Sequence, residues 1–180
     1  MKPYKTYLFI LAAAVVVIAV LAGCFNMKAS EISTLKTGSP LKGLPLKTFA
    51  FKEFKDARRT DPYQVWGGYG KLDQPAAYVV AMVIRKELER NGHRCIAYSG
   101  QSSPDFIIEG SVSTYSVLVV GVKMTVSSVS PEKGMITKTY EGEVRGSYNG
   151  YTWNTKFNHA LLAMAKEMST DLDLIAFLEK

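Results

Sequence analysis

The residue with the clearest chemistry in this 180-residue sequence is Cys24, whose thiol closes Leu21-Ala22-Gly23-Cys24 after a charge-free run from Leu8 to Leu21. Lys2 and Lys5 precede the run. A basic start, an apolar middle and a small-residue end are the layout of a secretory signal rather than of a folded helix. The other reading is an uncleaved spanning helix, since residues 7–22 approach the shortest length that crosses a bilayer. Catalytic side chains are sparse elsewhere. Neither His93 nor His159 belongs to a His-x-x-x-His pair, and Cys95, two residues from His93, would bring a metal at most two ligands. There is no Gly-x-Ser-x-Gly elbow, and Gly70-Lys71-Leu72 lacks the hydroxyl and the upstream glycine spacing of a phosphate loop. Asp171 and Asp173 stand two apart in a helical stretch, which points them to different sides rather than into a shared-proton pair. The sequence therefore predicts no metal, no cofactor and no enzyme.

The segment richest in recognition chemistry is the polar, glycine-rich stretch from Lys55 to Leu72. It sets Arg58 and Arg59 beside Tyr63, Trp66 and Tyr69, residue types that anchor interfaces. These five form the candidate binding surface. Two plainer readings stand beside it: Trp66 and Tyr69 fold back to cover the end of a sheet, and Arg58 pairs with Asp56 or Asp61 as a surface ion pair of small worth.

Those residues need a scaffold, and the hydrophobic pattern supplies one. Leu46, Phe49, Phe51 and Phe54 mark a first strand. Ala77, Val80, Ala81, Ile84 and Leu88 keep helical spacing across 76–91, with Arg85, Lys86, Glu89 and Arg90 opposite, Asp73 as N-cap and Gly92 as the stop. Strands are expected over 94–98, 105–117, 122–129 and 135–148, the last two joined as an antiparallel hairpin by Ser130-Pro131-Glu132-Lys133-Gly134. Residues 155–178 repeat Phe157, Leu161, Met164, Ala165, Met168, Leu172 and Ile175 on one face of a second helix. The order β-α-β-β-β-β-α predicts a two-layer α+β sandwich, with a mostly antiparallel sheet wet on one face and two amphipathic helices on the other.

The formal charge of +6 is uneven along the chain. Phe25 to Thr60 carries a net +5, from eight Lys and Arg against Glu31, Glu53 and Asp56, while Asp61 to Lys180 carries −1. Basic residues confined to one terminal segment suit an anionic membrane surface better than nucleic acid, each adding about 1 kcal/mol near such a surface. They are equally consistent with solvated charges on a linker and a strand. Residues 25–45, with Ser30, Ser33, Gly38, Ser39, Pro40, Gly43 and Pro45 and no sustained period, read as a flexible tether.

Leu21-Ala22-Gly23-Cys24 resembles the lipobox of bacterial lipoprotein precursors. That resemblance implies acylation of Cys24 and removal of residues 1–23, giving a lipidated tether at 24–45 and a periplasmic α+β domain at 46–180. Several acyl chains exceed the marginal hold of one, each buried methylene adding about 0.8 kcal/mol. Phe25, where an Asp would mark inner-membrane retention, implies the periplasmic face of the outer membrane. With Cys24 lipidated, Cys95 has no disulfide partner in the chain and reads as a buried thiol. Phe51-Lys52-Glu53-Phe54-Lys55-Asp56-Ala57-Arg58, Leu88-Glu89-Arg90-Asn91-Gly92 and Pro104-Asp105-Phe106-Ile107-Ile108-Glu109-Gly110-Ser111-Val112 together resemble the small outer-membrane lipoproteins called YajG-like and, more loosely, lipoprotein accessory subunits of envelope transport. The resemblance implies a membrane-anchored, non-enzymatic accessory or binding module of envelope assembly or transport, whose partner is another envelope protein or lipid headgroups. The alternative is a periplasmic hydrolase acting on cell-wall or lipid substrate.

Overall fold

The computed structural model of the protein describes residues 25–27, 39–65, 70–116, 118–144 and 153–179. Among them run β1 (Phe25–Met27), β2 (Thr48–Phe51), β3 (Lys55–Asp56), β4 (Gly70–Leu72), α1 (Ala76–Arg90), β5 (Arg94–Ala97), β6 (Phe106–Tyr115), β7 (Val119–Ser128), β8 (Met135–Glu143), α2 (Trp153–Thr170) and α3 (Leu172–Glu179). The helix expected at 76–91 forms as α1, burying Ala76, Val79, Val80, Val83, Ile84 and Leu88 along one stripe. Its start differs from the expected Asp73 cap. Pro75 occupies the N-cap without a side-chain bond, and the carbonyl of Pro62 accepts the Ala76 N–H at 2.9 Å. Gly92 stops the helix at φ +94°, a backbone state that costs glycine nothing.

The main sheet has the order β5-β2-β6-β7-β8, and β3 pairs with β6 beyond the end of β2. The hairpin of β7 and β8 is antiparallel, as expected, as is the pairing of β6 with β7. The other half is parallel: β2 lies between β5 and β6 and runs with both. Parallel neighbours need a crossover, which α1 supplies between β2 and β5. A second, two-stranded sheet pairs β1 with β4 in parallel.

One face of the main sheet carries the core. Phe106, Ile108 and Val112 of β6, Val122, Met124 and Val126 of β7, and Tyr140 of β8 are buried there beneath the helices. An aromatic column links the layers, with ring centroids 5.6 Å apart for Phe49 and Phe106 and 5.7 Å for Phe106 and Phe177 of α3. The opposite face carries Glu109, Ser111, Lys123, Thr125, Thr137 and Thr139, and the hydroxyls of Thr125 and Thr137 meet across strands at 2.9 Å. Alternation along the strands thus gives one dry and one wet face. Gly142 permits a close approach between layers, because a Cβ there would lie 1.9 Å from the Ala160 carbonyl oxygen of α2.

Five expectations are corrected. The single helix over 155–178 is two, broken at Asp171, whose Oδ1 accepts the N–H groups of Asp173 and Leu174 at 2.9 and 3.3 Å and so caps α3. That break turns Asp171 and Asp173 toward one partner, since both carboxylates pair with Lys138 of β8. The stretch expected as a flexible tether contributes to the fold at both ends: Phe25–Met27 is β1, and Pro40–Gly43 is a 3₁₀ turn whose Leu41 is 0 % exposed. Leu46, expected to open the first strand, is 76 % exposed. The loop expected between Lys55 and Leu72 contains β3 and β4.

Both outer strands of the main sheet have a backbone group taken by a helix side chain. Arg85 of α1 donates to the Cys95 carbonyl of β5 at 3.0 Å, and Glu167 of α2 accepts the Glu141 N–H of β8 at 2.6 Å. Each contact removes one unpaired group from an edge that could template pairing with another strand. Among the described residues no helix is long and apolar enough to cross a membrane.

Candidate functional site

Arg58 does not present a free cation. Its Nε and Nη2 hold the two Asp56 carboxylate oxygens at 2.9 and 2.6 Å, and Nη1 donates to the Gln64 carbonyl at 2.7 Å. Nη2 also reaches the Pro62 carbonyl at 3.2 Å, and the guanidinium lies 5.3 Å from the centre of the Tyr115 ring. With its side chain 7 % exposed, Arg58 ties residues 56–64 into a closed loop. This corrects its assignment to a binding surface: of the two acidic partners the sequence offers it takes Asp56, in a bidentate, buried pair rather than a surface one. Burial alone would raise the Asp56 carboxyl, but the Arg58 hydrogen bonds and charge hold it below its ordinary 3.8.

Tyr63 and Arg59 are both exposed, yet they open onto different hollows. Tyr63, whose backbone N–H the Asp61 carboxylate accepts at 2.9 Å, lines a groove of about 890 Å³ between α1 and the carboxyl ends of β2 and β5. Tyr78 of α1 and Tyr98, just past β5, stand in the same groove, and the three residues are 54 %, 45 % and, for Tyr63, 43 % exposed. Between them lie Ala77, Ala81 and Met82, with Lys52, Arg85 and Lys86 at the rim. Lys52 is drawn over the Tyr98 ring at 5.6 Å while pairing with Glu109 at 3.2 Å. Crevices outside the carboxyl ends of parallel strands are where open α/β sheets bind ligands. Arg59 instead joins the wall of a second hollow, beside β6.

The five candidate residues are therefore not one surface: Arg58 is structural, Arg59 and Tyr63 face separate hollows, and Trp66 and Tyr69 lie outside the described residues, as does Cys24. Tyr78 and Tyr98 are not among the candidates that residue type and spacing point to in the sequence. Tyr78 could have been flagged as a large aromatic on the polar side of an amphipathic helix, but the place of Tyr98 depends on β5 forming the sheet edge.

Two other reactive groups, Cys95 and His93, are enclosed. The Cys95 thiol contacts the Arg85 carbonyl at 3.8 Å, and burial, with Glu89 adding, pushes its pKa up to about 12, so it is no thiolate at neutral pH. His93 is buried against Phe49 at 5.4 Å, and its Nδ1 accepts the Lys47 N–H at 3.4 Å. Burial lowers its pKa below 6.5; the Leu41 carbonyl opposes this and the Lys47 charge reinforces it. His159 is exposed on α2. Among the described residues no three His, Cys, Asp or Glu side chains group as a metal site requires.

These features define an α+β domain with an aromatic-walled groove. No protein-family model and no curated protein matches the sequence. Two solved structures are similar to varying degree. A crystal structure of a Xanthomonas campestris protein of family DUF330 is similar at a TM-score of 0.56 and 13 % identity, over 82 % of this chain and 93 % of that one. The PelC dodecamer of Paraburkholderia phytofirmans matches at a TM-score of 0.44 and 13 % identity, over 74 % and 96 % of the two chains. Identity at this level bears on fold alone.

Proposed function

We propose that the protein is a lipid-anchored accessory module of the cell envelope, tethered through Cys24 to the periplasmic face of the outer membrane and binding an envelope partner along α1. The observation that carries the binding part is the groove itself. Three tyrosines, each about half exposed, ring one concavity of about 890 Å³. Large aromatics that stay half exposed around an apolar floor are typical anchors of a partner surface. The anchoring part rests on Leu21-Ala22-Gly23-Cys24 and on the basic segment that follows it. A binding role also accords with the state of Cys95 and His93: the thiol is held protonated and the imidazole is walled in by Phe49 and Lys47, so neither is poised as nucleophile or base.

The experiment places a photocrosslinking amino acid at Tyr78 in the full chain in its own membranes and compares it with Tyr78→Ala and Tyr98→Ala. One discrete crosslinked partner, with each alanine weakening capture about tenfold or more while the melting temperature holds, is the expected result. No crosslink at Tyr78 would overturn the groove as the binding face. A Cys24→Ala chain that still labels with palmitate would overturn the anchor.

A further inference from the structure

The second hollow differs from the α1 groove in the chemistry of its walls. It is an open hollow of about 670 Å³, walled by Arg59, Thr60, Ser113, Thr114 and Glu141 around Tyr115. A register shift between Val112 and Thr114 bulges β6 at this point, and such bulges re-aim side chains. Across the sheet stands Gly121, where a Cβ would come within 3.0 Å of Ser113 Oγ and 3.5 Å of Thr114 Cβ. The missing side chain leaves those hydroxyls room. Beneath them Arg58 is neutralised by Asp56, so the floor adds no free charge. Among the described residues the Arg59 guanidinium, the hydroxyls of Thr60, Ser113 and Thr114, and the Glu141 carboxylate have no hydrogen-bond or ion-pair partner, Glu141 being engaged only through its backbone N–H.

We propose that this hollow binds a small zwitterion, a phosphate ester bearing an ammonium group, with the ester oxygens toward Arg59 and the hydroxyls and the ammonium toward Glu141. Charges of both signs in one hollow select the ligand. A simple anion would meet the Glu141 carboxylate, and a simple cation would meet Arg59. The donor count separates phosphate from carboxylate: a forked guanidinium and three hydroxyls exceed what two carboxylate oxygens in a plane can accept, whereas a tetrahedral phosphate presents more acceptors in more directions. The inference concerns a hollow distinct from the groove along α1 and stands or falls separately from it.

The test titrates the full chain in detergent with phosphoethanolamine and, separately, with inorganic phosphate, followed by phosphorus NMR. Saturable binding of phosphoethanolamine is expected. Arg59→Gln should weaken both probes by about tenfold or more, the size of one lost charge-assisted contact. Glu141→Gln should weaken phosphoethanolamine and leave inorganic phosphate unchanged or tighter, because it removes an attraction for one probe and a repulsion for the other. Both residues are exposed, and an unchanged melt confirms that each variant is folded. Lys86→Gln, in the α1 groove, should alter neither. Mixed micelles identify the source: competition by phosphatidylethanolamine but not by phosphatidylglycerol assigns the hollow to a lipid headgroup, and retained binding without competition assigns it to a soluble ester. No saturable binding of phosphoethanolamine, or equal effects of Glu141→Gln on both probes, would overturn the proposal.

Discussion

Arg58 shows how one side chain can fix a loop. Four of its contacts go to groups within six residues in sequence, so the guanidinium does within residues 56–64 what a short hydrogen-bonded ladder would do elsewhere. Removing it strands the Asp56 carboxylate in a site 15 % exposed. Arg58→Gln is therefore expected to cost about 3 kcal/mol in urea melts, and Arg58→Lys to recover little of it, because an ammonium cannot span both carboxylate oxygens and the Gln64 carbonyl. Full stability in Arg58→Lys would show that charge alone matters. The same pair gives a pH dependence. Asp56 is depressed, so its contribution is complete above the unfolded value near 3.8 and is lost as pH falls through the folded one. His93 acts in an earlier window. Its folded pKa lies below 6.5, so the unfolded chain takes up the proton first and stability declines as pH falls below about 6.5, with nothing lost above it. His93→Gln, which keeps an acceptor for the Lys47 N–H, should flatten the stability curve between about pH 6.5 and the carboxylate range. An unaltered slope would assign that decline to other groups.

At the scale of elements, close approach and capping decide which helices can sit on the sheet. Gly142 lets α2 settle on β8, and no flexible neighbour can yield there, because the nearest atoms to an added Cβ are the backbone of Ala160 and Met164. Gly142→Ala should cost about 3 kcal/mol and lower the melting temperature by about 10 °C. A melt within a degree of the parent would mean that the layers are free to part. Asp171 divides the C-terminal helical segment: Oδ1 caps α3, while Oδ2 receives the Tyr140 hydroxyl at 2.9 Å. Asp171→Ala is expected to cost about 2 kcal/mol, more than a cap alone, and to lower the raised pKa of the Tyr140 phenol, whose causes are burial first and Asp171 second. Ultraviolet titration of the phenol would read the second effect. Periodicity made α1, the β7–β8 hairpin and the wet face of the sheet legible in the sequence, because each needs only neighbours in the chain. The α2–α3 break was not legible, since Leu172 and Ile175 continue the apolar spacing straight through Asp171. What breaks the helix is the convergence of Lys138 and Tyr140, which come from a strand more than thirty residues away.

Over the whole molecule, the boundary between tether and domain follows burial rather than composition. Leu41 sits in a Ser-, Gly- and Pro-rich stretch and is fully buried, whereas Leu46, five residues later in a better strand pattern, points to solvent. Leu41→Ala is expected to cost about 3 kcal/mol and Leu46→Ala almost nothing, a contrast that equilibrium melts of the two variants would read directly. Equal effects would return the 3₁₀ turn to the tether. Composition, apolar periodicity and the turn residues determined by themselves the class of fold, the amphipathic α1, the hairpin and the prominence of Cys24, because local spacing alone carries those properties. Tertiary structure decided that β2 runs parallel to both of its neighbours, that Arg58 turns inward, and that Tyr63, Tyr78 and Tyr98 share a groove while Arg59 faces another hollow. Each of these depends on segments that meet only after the crossover through α1 closes the sheet, and no spacing along the chain records which strand becomes its edge.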